Sequence, residues 1–215
     1  MSRLTTEERL RIADAVRSVE QHTRAEIVPM VVSKSGLYRD AQHHAGLILA
    51  FLTLTCLLTL DVTWLPWSWH AANAAWLVLA TVAAYASGVW MGTFPTVIRF
   101  VTSTERMKQK VRLRAERAFA QHEIARTAER TGVLLMLSML ERQVLILPDR
   151  EIARLVPSDR WNEVVQAIVE RLKSGDIAGS LCAGIDRCQT ILAQACPPAS
   201  GGNPNEISDR LIEEP

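Results

Sequence analysis

The carboxylates that border the apolar segments are the residues whose types and positions could do chemistry. Glu26 opens a β-branched run, Asp149 and Glu151 flank Arg150 after another, and Asp159 stands at a helix start. Acids gathered at one edge of a sheet would give calcium the oxygen ligands it takes. The same side chains have structural uses: Glu26 and Asp149 can cap helices or pair with Arg24 and Arg150, and that is their commoner employment. The catalytic residues stay unassigned. No glycine-rich phosphate loop, His-Glu-x-x-His helix, Gly-x-Ser-x-Gly elbow or calcium loop is present. His122-Glu123 is followed by Arg126 where a zinc helix needs its second histidine. A phosphatase needs a nucleophile or metal pair beside positive groups, and no recognisable set supplies them. Cys182, Cys188 and Cys196 form no Cys-x-x-Cys pair, which predicts free thiols in a reducing cytoplasm.

Any such chemistry must be positioned around the stretch from Ala45 to Phe94. Between Asp40 and Asp61 no residue carries a full charge, and between Asp61 and Arg99 the titratable side chains are His70 and Tyr85. Two runs, about 45–65 and 73–94, are each long enough to span a bilayer, since roughly 20 helical residues cover a hydrocarbon core about 30 Å thick. Pro66 lies in the short connection between them, which predicts an antiparallel transmembrane hairpin. Gly88-x-x-x-Gly92 sets small residues at helix-packing spacing, serving either the two spans or a dimer.

Lys and Arg are absent from 45 to 98 but present on both sides. The positive-inside rule then puts both termini in the cytoplasm, at a bacterial inner membrane, with the turn outside. Trp64, Trp67, Trp69 and Trp76 read as anchors at the outer interface. Arg106, Lys108, Lys110, Arg112 and Arg114 follow the hairpin closely enough to meet anionic lipid headgroups, although a solvated helical face explains them equally well. His43-His44 forms a polar collar just inside the first span. The expected partners are therefore the bilayer, its headgroups and a membrane protein. A net charge of +1 argues against nucleic acid. The charged opening MSRLTTEERLRI has no apolar core, so no cleavable signal peptide is expected.

Outside the hairpin the pattern alternates between helix and strand. Thr5 and Glu8 have the spacing of a capping box, and a helix follows to about Gln21 with Leu10, Ile12, Ala15, Val16 and Val19 on its apolar stripe. Residues 25–32 read as a strand, with Pro29 at an edge or bulge. Thr96 to Arg130 is helix-compatible. The unbroken run Val133–Met139 predicts a central strand, paired through a turn at 140–142 with Gln143–Leu147. A short helix holding Ile152 and Leu155 comes next. Two longer ones follow, the first capped by Ser158 or Asp159 and the second by Asp176. The proline- and glycine-rich tail 198–215 is expected to be disordered, with Ile207, Leu211 and Ile212 able to form a short helix against a partner.

Strand one precedes the hairpin and strands two and three follow it. A there-and-back excursion returns the chain to the side it left, so one sheet can hold them all. The expected domains are residues 1–40, the hairpin 45–94, the second part 99–197 and the tail.

This order of elements resembles the TPM domain family. The pieces that carry the likeness are Ala25-Glu26-Ile27-Val28, Arg130-Thr131-Gly132-Val133-Leu134, Leu140-Glu141-Arg142-Gln143-Val144, Val156-Pro157-Ser158-Asp159-Arg160-Trp161 and Gly175-Asp176-Ile177-Ala178. The resemblance implies an α/β class fold, an α/β/α sandwich with a mixed sheet, here interrupted by the hairpin. Members of the family it resembles are associated with acid phosphatase activity, with calcium binding and with repair or assembly of membrane complexes. The internal anchor departs from the family's usual exported domain with a C-terminal anchor. The expected function is a non-enzymatic interaction factor for membrane proteins, with a membrane-bound phosphatase or an accessory subunit as alternatives.

Overall fold

A computed structural model describes residues 4–64, 71–198 and 205–214. The anchors Trp67 and Trp69 lie outside the described residues, as do Pro66, His70 and the side chain of Trp64. The chain divides into two compact units, residues 1–35 with 108–215, and residues 36–107.

In the first unit, helix α1 (Thr6–Glu20) opens on the capping box, with Thr5 accepting from the Glu8 N–H and Glu8 from the Thr5 N–H. Its buried stripe is Ile12, Val16, Val19 and Glu20; Leu10, expected on that stripe, is 60% exposed. Strand β1 (Glu26–Val32) follows. After the second unit come α5 (Thr104–Gln121, which begins there), β2 (Gly132–Ser138), β3 (Gln143–Pro148), α6 (Arg150–Leu155), α7 (Trp161–Leu172), α8 (Ile177–Ala195) and β4 (Ile212–Glu214). The sheet order is β3-β2-β1-β4, with β1 parallel to β2 and to β4 and β2 antiparallel to β3.

Both faces of the sheet are covered. Ile27, Val31, Val133, Leu135 and Leu137 pack with Ile12 and Val16 of α1, Val164 and Ile168 of α7, and Leu181, Ile185 and Cys188 of α8. The alternate residues Val28, Met30, Val32, Leu134 and Met136 meet Val111, Ala115 and Ala118 of α5. The period of two in the strands thus feeds two cores, and every residue of β2 is buried between them. Parallel pairing of β1 with β2 demands a crossover, and the intervening chain holds the second unit and α5, which covers one face of the sheet. The mixed sandwich expected from the sequence is the fold observed.

Three expectations are corrected. The helix foreseen over 96–130 is two helices, α4 (Pro95–Val101) and α5, separated where Thr102 turns extended and Ser103 accepts the Arg106 N–H at 3.5 Å. Such hydroxyl side chains compete with the helix ladder for backbone groups. α5 stops at Gln121, with Glu123 at φ 55° beyond it and the 3₁₀ turn Ile124–Arg126 next. The tail is not wholly disordered: Ile212–Glu214 is a strand on β1, and the helix imagined for Ile207, Leu211 and Ile212 does not form. Pairing with an open strand edge satisfies backbone groups that a short isolated helix would leave unmet.

The second unit is the hairpin with α4. Helices α2 (Arg39–Trp64) and α3 (Ala71–Met91) pack closely enough that a Cβ on Gly88 would lie 2.7 Å from the Ala45 carbonyl oxygen, and one on Gly92 2.5 Å from Gln42 Cα. The Gly-x-x-x-Gly motif is therefore consumed within the hairpin. His43 Nδ1 and the Tyr85 hydroxyl meet across it at 2.9 Å. Its outer surface is apolar, with Phe51, Trp76, Val78, Val82 and Trp90 all exposed.

Candidate functional site

Strand β1 carries the features that set this domain apart from a closed sandwich. Its inner edge is fully paired with β2, from Glu26 opposite Gly132 to Val32 opposite Ser138. Its outer edge is finished by three different devices. The Ile27 N–H donates to Glu20 Oε1 of α1 at 3.0 Å. Pro29, two residues on and facing the same way by strand alternation, has no N–H to satisfy. From Met30 onward β4 takes over in parallel register, and the Ser33 N–H donates to the Glu214 carbonyl at 3.0 Å. Pro29 therefore stands on the outer edge, just before the β4 ladder begins.

The segment 205–214 is fastened along that edge from both sides. Ile207 and Ile212 pack on the α5 core and Leu211 on the α1 core. On the α1 side Arg9 pairs with Glu213 at 2.6 Å and Arg17 Nε with Asp209 Oδ2 at 3.4 Å. On the α5 side Arg114 and His122 both reach the Glu214 carboxylate, the latter at 3.3 Å. The Ile207 N–H donates to Glu26 Oε2 at 3.3 Å and the Ala128 N–H to Glu206 at 2.8 Å. Beside the segment a cavity of about 390 Å³ is lined by His122, Arg126, Glu206, Ser208, Arg210 and Leu211, among others.

Beneath the segment three acids converge. Burial, above all, pushes the Glu20 carboxyl up to about 8, with the neighbouring Glu26 and Asp209 adding to the rise and the Ile27 N–H working against it. Glu20 Oε2 and Asp209 Oδ1 are both buried with no donor from another described residue. Neither residue was singled out in the sequence. The readable signal was Glu20 itself, a charge placed four residues after Val16 on an apolar stripe.

The acids that were singled out are distributed differently. Glu26 and Asp149 approach one another's strand ends, since Glu26 lies opposite Gly132 and the Asp149 N–H donates to the Gly132 carbonyl at 2.7 Å. Asp149 caps α6, accepting from the Arg150 N–H at 2.7 Å, while its Oδ2 is buried without a donor from a described residue. Glu151 pairs with Arg154 at 3.3 Å on the same short helix, and Asp159 sits in the 3₁₀ turn Ser158–Arg160. Among the described residues no three His, Cys, Asp or Glu side chains gather as a metal-binding group. The four do not form one ligand set. The basic residues of α5 also divide: Arg114 is committed to Glu214 and Arg112 to Glu116 at 2.9 Å. Arg106 lies 3.9 Å from Asp40.

A second buried polar group closes the opposite end of β1 and β2. Glu141 accepts from the Ser35 N–H at 2.9 Å and from the Ser138 hydroxyl, and the two hydroxyls of Ser35 and Ser138 lie 2.7 Å apart. Arg142, at φ 52°, completes the β2–β3 turn. The Leu140-Glu141-Arg142 piece thus acts as a tie between the turn and the exit from β1.

Sheet order and two-sided helical cover define an α/β/α protein with an inserted hairpin of apolar helices. The TPM domain family model matches residues 94–191, less than half of the chain, all of it after the hairpin, and the resemblance read from the sequence holds over those residues. β1 lies before the start of that match and β4 beyond its end. The chain is also similar in fold to the NMR structure of the BA42 protein from the psychrophilic bacteria Bizionia argentinensis sp. nov., with a TM-score of 0.58 at 17% identity over 99% of each chain. At that identity the likeness is one of fold. No curated protein matches.

Proposed function

We propose that this chain is a membrane-tethered TPM-domain protein whose soluble unit serves as an interaction module in the assembly or upkeep of membrane proteins. The observation that carries the reading is the character of the hairpin. Arg39–Thr59 and Ala74–Met91 are long and apolar enough to cross a membrane, and only 11% and 6% of their most apolar windows are buried within the protein. Helices of a soluble core are buried; these expose Phe51, Trp76, Leu79 and Trp90. Length and composition support the anchor. Lys and Arg confined to the flanks support a cytoplasmic location for both termini at an inner membrane.

For the soluble unit, an interaction role is supported by what its most built feature does. The β1 edge holds an extended segment through main-chain pairing, apolar side chains and ion pairs, the chemistry by which domains hold peptides. Two experiments test the proposal. After an alkaline carbonate wash the protein should remain with the membrane fraction, and release into the wash would remove the anchor. Purified protein offered a generic phosphate ester should turn none over. Turnover lost in Asp149→Ala or Asp159→Ala would replace the interaction role with a phosphatase.

A further inference from the structure

We propose that the outer edge of β1 is a docking groove for an extended acidic segment of a partner protein, and that residues 205–214 of this chain are its built-in competitor. The inference rests on the reading of the soluble unit as an interaction module and names the partner's chemistry.

The groove has a definite character. Arg9 and Arg17 stand along one wall and Arg114 and His122 along the other. A strand that follows β1 between these walls must be acidic on both of its faces near its end, as Glu213 and Glu214 are. It must also bring apolar side chains to each core, as Leu211 and Ile212 do. Charge complementarity of this kind selects the partner and sets its register. Pro29 limits the ladder, so the resident strand pairs over only Met30–Val32.

The resident segment fits without filling the site. A cavity of about 390 Å³ remains between it and the turn after α5, with His122, Arg126 and Thr127 on its wall. A partner segment with larger side chains at the positions of Ile207 and Ser208 has room there. The segment also joins the domain through Pro197-Pro198-Ala199-Ser200-Gly201-Gly202-Asn203-Pro204, a composition that belongs to linkers. It lies outside the family match, which ends at residue 191. A tether this short holds its end at an effective concentration on the order of millimolar, so an outside segment competes only once the resident is weakened or the partner is held nearby in the same membrane.

The test uses the full chain in detergent micelles and a fluorescein-labelled peptide of residues 205–214, read by anisotropy. The release variant Glu213→Lys/Glu214→Lys should bind the peptide at least tenfold more tightly than the unaltered chain. Adding Arg114→Glu should abolish that binding, and a peptide carrying lysine in place of its Glu214 should restore it. If the release variant loses its far-UV circular dichroism, the chain with a protease site placed in 199–204, cut after folding, takes its part. Absence of binding to both, or binding indifferent to Arg114→Glu, overturns the groove. A dimer of the unaltered chain held by exchanged 205–214 segments, seen by light scattering and lost in the release variant, also overturns it, because the edge then belongs to a second copy. A membrane-protein partner that co-purifies equally well with Arg114→Glu overturns the groove while leaving the interaction role in place.

Discussion

The Ile27 N–H donates to Oε1 of Glu20 at 3.0 Å, so a helix-terminal carboxyl finishes the strand edge that Pro29 and β4 finish further along. A side chain in that position is buried on purpose, and its protonation is bound to the fold. Burial raises Glu20 from an ordinary value of 4.5 to about 8. Because the folded value lies above the unfolded one, the stabilising contribution is complete below pH 4.5 and is lost as pH rises through 8. Glu20→Gln keeps the acceptor and removes the titration. Its unfolding midpoint in urea should lose less between pH 6 and pH 9 than that of the unaltered protein. Equal losses would show that Glu20 carries no such proton.

The hairpin makes its own prediction. A Cβ on Gly92 would lie 2.5 Å from the Gln42 backbone, so Gly92→Leu must separate the two helices. Overpacking of this kind costs about 1–3 kcal/mol, and the thermal midpoint in detergent should fall accordingly. If the glycines instead formed a dimer face, the substitution would abolish a dimer and leave the midpoint unchanged.

Glu141 ties the β2–β3 turn to Ser35 and Ser138. Glu141→Ala leaves the Ser35 N–H buried without its acceptor, a loss of about 1–3 kcal/mol. Glu141→Gln, which retains an acceptor oxygen, should lose less. Chemical denaturation of the two variants checks the order, and equal stability of both with the unaltered protein would mean that the tie is dispensable.

Among the thiols, burial pushes Cys188 up to about 12. With the side chain fully enclosed in the α1–α8 core, a maleimide at pH 7.5 should leave Cys188 unmodified in the folded protein and label it in urea. Labelling without denaturant would place Cys188 outside the core.

Much of this architecture could be read before any coordinates. Period-two apolar runs, the Thr5–Glu8 cap, the Asp176 cap and the unbroken Val133–Met139 segment each report a local requirement, and the hairpin's lack of charge reports its length. The site was less legible. Asp209 and Glu214 lie in a segment whose proline- and glycine-rich approach resembles a disordered tail. What orders the segment is the β1 edge, far away in sequence: Arg114 and Glu214 are 100 residues apart. Pro29 was legible as an edge residue, but not what covers the edge beyond it. Local composition records what a segment can do alone and is silent on the partner it finds.

β1 and β2 share a sheet, so the proposed membrane anchor has residues before and after the hairpin on one side of the bilayer. Single-cysteine variants at Ser18, Ser174 and Ser68, with the native cysteines replaced, can be exposed to an impermeant maleimide in right-side-out and inverted vesicles. The account predicts that positions 18 and 174 react together in inverted vesicles and position 68 reacts only in right-side-out ones. Reaction of positions 18 and 174 from opposite faces would contradict it.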